Sequence, residues 1–215
     1  MRSVTESATS IPRVAGVLVG GDSRRMGSPK ALLPHPNGGT FIEYITKVAA
    51  SVSEHVLLLG SSGKLPSSLD GIPRLPDTRP NAGPLAGLCA LLEHAGDGWT
   101  LLLACDLPFV TKGTLERLVS CATADVDAVA FQQRRTPAVY HVCCALYHAR
   151  VLPEAQRELF HGRGRPQALL GCVRLAALQP SEQEERQLMN VNTQAEFDVM
   201  LSAGGSNTAG ETSQG

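Results

Sequence analysis

Several common routes to function are missing from this 215-residue chain. Its formal charge at pH 7 is −1, so no overall field draws it to nucleic acid and basic residues act only locally. No apolar run approaches the roughly 20 residues needed to span a bilayer. The first dozen residues, MRSVTESATSIP, have none of the apolar core that directs secretion. Cys89, Cys105, Cys121, Cys143, Cys144 and Cys172 form no C-x-x-C pair. Free thiols, mostly buried in a cytoplasmic protein, are therefore expected over zinc or disulfides. His141, His148 and His161 show no ligand spacing, and no internal repeat is visible.

What remains suits one globular domain. The hydrophobic fraction is 43%, enough for a substantial core at this length. Residues 13–202 read as a single domain, with 1–12 and Ala203–Gly215 (AGGSNTAGETSQG) as disordered tails.

The most informative stretch is Val14–Lys30, VAGVLVGGDSRRMGSPK. An apolar strand runs into Gly20–Gly21, where a tight turn lets the backbone come close to a ligand. The N–H groups there, with Arg24, Arg25 and Lys30, concentrate donors and positive charge for a polyphosphate. A strand-to-loop turn with solvated basic residues is the plainer alternative. The stretch is not a Walker A loop, because Ser28 and Pro29 separate Gly27 from Lys30, and it lacks Gly-x-Gly-x-x-Gly.

Apolar runs alternate with helix-like stretches. Strands are expected at Arg13–Val19, His55–Leu59, Ile72–Leu75, Trp99–Ala104 and Ala128–Phe131, with Ala138–Ala145 and Cys172–Leu178 extended. Helices are expected at Thr40–Val52 (Thr40 and Glu43 forming a capping box), Pro84–Ala95, Thr111–Ala122, Arg150–His161 and Thr193–Leu201. This alternation indicates an α/β fold, a doubly wound, mostly parallel sheet covered on both faces. Ligands bind outside the carboxyl ends of such strands, which puts Gly20–Lys30, Asp77–Gly83 and Asp106 on one rim.

Three further elements fall on or near that rim. LLLACDLPFV (Leu101–Val110) places Asp106 at the exit of a buried strand, a position suited to Mg²⁺ beside phosphate oxygens or, equally, to capping a helix. DTRPNAGPLAGL (Asp77–Leu88) carries a second aspartate and a Gly83-Pro84 turn into a helix whose N-terminus faces an anion or a base edge, unless it is a simple junction. Asn190 and Asn192 alternate before the last helix, so both point to one face of an extended segment.

Together these residues resemble the molybdenum cofactor guanylyltransferase family, the MobA-like nucleotidyltransferases. Leu18-Val19-Gly20-Gly21, Arg25-Met26-Gly27 and Lys30 match its signature loop, with valine for the usual alanine. Cys105-Asp106-Leu107-Pro108, Gly83-Pro84-Leu85-Ala86-Gly87 and Asn190-Val191-Asn192-Thr193 match its three other elements, in order across residues 14–201. The resemblance implies a Rossmann-like enzyme that transfers GMP from GTP to molybdopterin with release of pyrophosphate. It implies Leu18, Val19, Gly20, Gly21, Lys30, Asp77, Gly83 and Asp106 as nucleotide contacts, and Asp106 as the Mg²⁺ ligand. Lys30, Arg24, Arg25 and Asp106 would carry the chemistry, and Asn190, Asn192 and Arg165 would meet the acceptor. Transient contact with cofactor insertion proteins or molybdoenzymes is a further expectation.

Two departures stand out. The chain reads Leu58-Leu59-Gly60-Ser61 where the family tends to carry a nucleotide-holding asparagine, and Asp22 sits inside the phosphate loop. A cytidylyltransferase on the same cofactor and a non-catalytic cofactor-delivery protein are the alternatives. Arg134 and Arg135, in QRRTPAVY, and the loop HGRGRPQ (His161–Gln167) are candidate acceptor contacts or ordinary exposed arginines.

Overall fold

A computed structural model describes residues 11–19, 30–60, 63–76, 79, 82–134, 136, 138–191 and 195–198. Among these residues seven strands form one sheet: β1 (Val14–Leu18), β2 (His55–Leu59), β3 (Arg74–Leu75), β4 (Trp99–Ala104), β5 (Ala128–Gln132), β6 (Tyr140–His148) and β7 (Leu175–Leu178). The order across the sheet is β3-β2-β1-β4-β6-β5-β7. β1 pairs in parallel with β2 and β4, β2 with β3, and β5 with β7. Only β6 runs against its neighbours, β4 and β5. The mostly parallel α/β sheet expected from the sequence is therefore present.

Helices α1 (Phe41–Ala50), α2 (Pro84–Ala95), α3 (Lys112–Ser120), α4 (Leu152–Phe160), α5 (Pro166–Leu170) and α6 (Glu182–Gln187) cover it. Strand alternation divides the apolar side chains between two cores. Ala15, Val17, Leu58, Leu101 and Leu103 pack with Ile42 and Ile45 of α1 and Leu115 and Leu118 of α3. Val14, Leu18, Leu57, Leu59 and Leu102 pack on the opposite face with Leu85, Leu88 and Leu91 of α2 and Ala155 of α4.

α1 begins where the sequence said it would. Thr40 caps it and Glu43 returns a bond to the Thr40 N–H at 2.8 Å, completing the capping box. Gly87 lies against the ends of β1 and β2, since a Cβ there would stand 2.7 Å from Leu18 Cδ2. The start of α2 thus sits at the carboxyl rim of the sheet.

Other bounds differ. The third strand shrinks from Ile72–Leu75 to Arg74–Leu75, and the segment expected at Cys172–Leu178 pairs only over Leu175–Leu178. The extended stretch expected at Ala138–Ala145 is the longer β6. α6 was not expected, because it has no apolar periodicity and buries no residue. Its signal was the capping box Ser181-x-x-Glu184, and Arg117 of α3 pairs with Glu184 to hold it down. The last helix, expected at Thr193–Leu201, is described only over residues 195–198. All six cysteines are free: Cys89, Cys105 and Cys144 are buried and Cys172 is exposed.

Candidate active site

Residues from three distant parts of the chain meet where β4 ends. Cys105 N–H donates to the Leu18 carbonyl at 3.3 Å, so the turn after β4 is tied to the last residue of β1. Lys30 opens a short 3₁₀ turn, Lys30–Leu32, and its Nζ stands 3.9 Å from Asp106 Oδ2. Asn190 Nδ2 donates to Asp106 Oδ1 at 3.3 Å, and Val191 N–H donates to the Asp106 carbonyl at 3.0 Å. The Lys30 and Asp106 side chains are 23% and 19% exposed, so the pair is recessed yet reachable from solvent.

Burial pushes the Asp106 carboxyl up, while Lys30 and the Asn190 hydrogen bond pull it partly back. A carboxylate has about four acceptor sites, and among the described residues Asn190 takes one of them with Lys30 at 3.9 Å. That is the donor set a hard divalent cation fits, completed by phosphate oxygens. Burial and the adjacent Asp106 push the Cys105 thiol up to about 12, so it is no nucleophile at neutral pH. Cys143 on β6 is pushed up to about 12 by burial first and by Asp106 second.

A second feature lies on the same rim. A cavity of about 410 Å³ is lined by Arg79, Gly83, Pro84, Leu159, Gly164 and Arg165, among others. Among the described residues two guanidinium side chains and no carboxylate line it, which favours an anion. Its wall is a close backbone contact: a Cβ on Gly83 (φ +79°) would stand 2.8 Å from the Gly164 carbonyl oxygen. That carbonyl accepts the Leu85 N–H at 3.0 Å, and the Gly83 carbonyl accepts the Ala86 N–H at 3.1 Å. Pro84 has no N–H to offer. The first N–H groups of α2 are therefore engaged within the protein, and the arginines supply the cavity's donors instead. Arg79 reaches it with one guanidinium N–H on the Leu159 carbonyl at 3.1 Å.

The structure brings together Lys30, Asp106 and Asn190, and separately Gly83 and Arg165. Leu18 and Val19 are buried at 9% and 5% exposure, with the Val19 N–H on the Leu59 carbonyl at 3.0 Å. Gly20, Gly21, Asp22, Arg24, Arg25, Ser61, Asp77, Arg135 and Asn192 lie outside the described residues. Arg134 pairs with Glu185 of α6 at 3.4 Å. Arg79 escaped the sequence reading because a single loop arginine carries no pattern. Gln167, the last residue of the HGRGRPQ segment, is used structurally: its amide accepts the Tyr140 N–H at 3.1 Å and donates to the Ala138 carbonyl at 2.9 Å, tying the β5–β6 turn to α5.

A mostly parallel α/β sheet with a lysine–carboxylate pair at its carboxyl rim has that pair where ligands bind in such folds. Comparison with known proteins narrows this. Residues 15–179 match the MobA-like NTP transferase domain. The chain belongs to that nucleotidyltransferase family. It is 30% identical over 204 residues to a probable molybdenum cofactor guanylyltransferase of Rhodopirellula baltica, covering 86% of this chain and 90% of that one. It is 35% identical over 156 residues to a protein of the same description from Deinococcus radiodurans, covering 72% of this chain and 77% of that one. Molybdopterin-guanine dinucleotide biosynthesis protein A of Archaeoglobus fulgidus shares the fold, with a TM-score of 0.73 over 89% of this chain and 98% of that one at 21% identity. Among the described residues no helix is long and apolar enough to cross a membrane.

Proposed function

We propose that this protein transfers GMP from GTP to molybdopterin, releasing pyrophosphate and forming the guanine dinucleotide cofactor. The observation that carries the reading is the meeting of Lys30, Asp106 and Asn190 at the end of β4, with each residue drawn from a different element. Relatives named molybdenum cofactor guanylyltransferase over most of the chain support the choice of nucleotide and acceptor.

The reaction is an in-line displacement. An oxygen of the acceptor phosphate forms a bond to the α-phosphorus of GTP, and the bond from that phosphorus to the α–β bridging oxygen breaks. Negative charge builds on the non-bridging and leaving oxygens, so catalysis is mainly positioning and electrostatics. Lys30 supplies a fixed positive charge to those oxygens, with Arg24 and Arg25 of the phosphate loop as further candidates. Asp106 stands 3.9 Å from Lys30 Nζ and, in this reading, would hold Mg²⁺. When bound, Mg²⁺ neutralises phosphate charge. Asn190 orients the Asp106 carboxylate, and Asn192 is a further candidate acceptor contact. Arg165 and Arg79, on the walls of the 410 Å³ cavity, suit the acceptor's phosphate.

Thermal unfolding with GTP, CTP, ATP or UTP, each with and without Mg²⁺, tests this directly. A ligand at about 100 times its Kd stabilises by roughly 2.7 kcal/mol. A shift with GTP alone, enlarged by Mg²⁺, is the expected result; a preference for CTP moves the assignment to cytidylyl transfer. Turnover separates enzyme from delivery protein. Asp106→Asn abolishes product formation in an enzyme, and Lys30→Ala lowers it by about 100-fold or more. Undiminished function in both variants would exclude the catalytic reading.

A further inference from the structure

The 3.9 Å separation of Lys30 Nζ and Asp106 Oδ2 is too long for a directed hydrogen bond. The pair is therefore not locked by a directed bond of its own, and the placement of the two segments that carry it contributes to its spacing. His35 links those segments. Its ring is 6% exposed, and Nε2 lies 2.7 Å from the Pro108 carbonyl oxygen, 73 residues away in sequence. The Asn37 N–H donates to Nδ1 at 3.1 Å. An Nδ1 that accepts leaves the proton on Nε2, so the ring is the neutral tautomer that donates to Pro108.

The ring itself is held on both sides. Tyr44 stacks on it at 3.9 Å between centroids and 10° between planes, and Phe41 meets it edge-on at 6.1 Å. Tyr44 Oη also donates to the Val110 carbonyl at 3.0 Å. Two side chains from the Lys30–α1 segment thus bind alternate carbonyls of the segment that follows Asp106. Beneath them Leu33, Phe41, Val191 and Phe197 form a small apolar cluster, with Phe109 packed on it. This cluster joins the Lys30, Asp106 and Asn190 segments under the site. His35 is its polar member. The path closes on itself: Lys30 through five residues to His35, across to Pro108, back two residues to Asp106, and over to Lys30.

We propose that His35 is a positioning residue that sets the Lys30–Asp106 geometry, with Tyr44 as its brace. The proposal rests on the nucleotidyl-transfer reading above. It differs from a packing role in one respect: the effect of removing His35 passes through Lys30.

The test is a double-mutant cycle on GTP-dependent transfer. His35→Phe keeps a flat ring over Tyr44 and loses both hydrogen bonds. It lowers kcat by about tenfold to a hundredfold, the scale of a small misplacement, with little change in KM for GTP. In a Lys30→Ala background the same substitution costs no more than about twofold, because coupled residues are not additive. His35→Gln restores most of the lost kcat, since its amide nitrogen stands as many bonds from Cβ as Nε2 does. Equal losses in both backgrounds, or wild-type turnover in His35→Phe, would overturn the proposal. If His35→Phe fails to fold, Tyr44→Phe, which removes only the bond to Val110, lowers kcat in the same Lys30-dependent way; unchanged kcat overturns the proposal. If the wild type transfers no nucleotide at all, the functional reading fails and hydrogen exchange decides the structural claim. Faster exchange over residues 106–111 in His35→Phe, with β4 unchanged, upholds the positioning role; unaltered exchange there refutes it.

Discussion

Asp127 makes the densest set of ionic contacts in the described structure, and it lies away from the candidate site. The Arg174 guanidinium donates to both of its oxygens, at 2.9 and 2.7 Å, and the Arg174 N–H donates at 3.0 Å. Arg150 adds a further bond. The Arg174 guanidinium, ahead of Arg150, holds the Asp127 carboxyl well below the usual carboxylate range. The folded-state value is depressed, so the stabilisation is fully present above the unfolded value near 4 and is lost as pH falls toward the folded one. Asp127→Asn is expected to cost about 1–3 kcal/mol in urea unfolding at pH 7. The gap from wild type narrows below about pH 4; a gap that stays constant with pH would detach the stabilisation from this charge. At this scale Lys30 and Asp106 were candidates in the sequence because they followed a glycine-rich turn and a buried strand, and Asn190 because it alternates with Asn192 before a helix; that the three meet came from the structure. His35 was not legible. Its partner is a backbone carbonyl, and a carbonyl looks the same at every position.

At the scale of elements, the junction between α2 and the loop after α4 is the contact most sensitive to a single atom. A Cβ on Gly164 would come within 2.2 Å of the Ala82 carbonyl oxygen, a backbone atom that cannot swing away. Gly164→Ala is therefore expected to destabilise by about 1–3 kcal/mol. It also withdraws the Gly164 carbonyl from the Leu85 N–H and so loosens the start of α2. Thermal unfolding and amide exchange at Leu85 check both parts, and a wild-type Tm would show that the loop yields without cost. Helices with apolar periodicity, such as α1 and α2, were readable with their caps. α6 was missed because it buries nothing, and its position comes from ion pairs to Arg117 and Arg134. At the α2 N-terminus, which the sequence left as facing an anion or a base edge or as a simple junction, the Leu85 N–H is taken by the Gly164 carbonyl, a partner the sequence conceals.

For the whole molecule, one sheet separates two cores, and β1, β2 and β4 contribute side chains to both. Neither core survives without the sheet, so unfolding should be a single cooperative transition. Trp99, the only tryptophan, is 6% exposed at the start of central β4 and reports on the middle of the sheet. Its fluorescence and the far-ultraviolet circular dichroism are expected to lose their native signals at one denaturant midpoint. Separate midpoints would show that the two faces unfold independently.

The sequence by itself determined the alternation of strands and helices, the two-sided burial of the central strands, and the place of Lys30, Gly83 and Asp106 toward the carboxyl rim. Hydrophobic period and glycine placement encode burial and turns locally, and burial on both faces favours a mostly parallel α/β sheet. Tertiary structure alone decided three things. It inserted β6 in reverse between β4 and β5, closed Gly164 onto the start of α2, and anchored His35 to Pro108. Each is a contact to backbone across a long stretch of chain, and backbone groups carry no mark in the order of side chains.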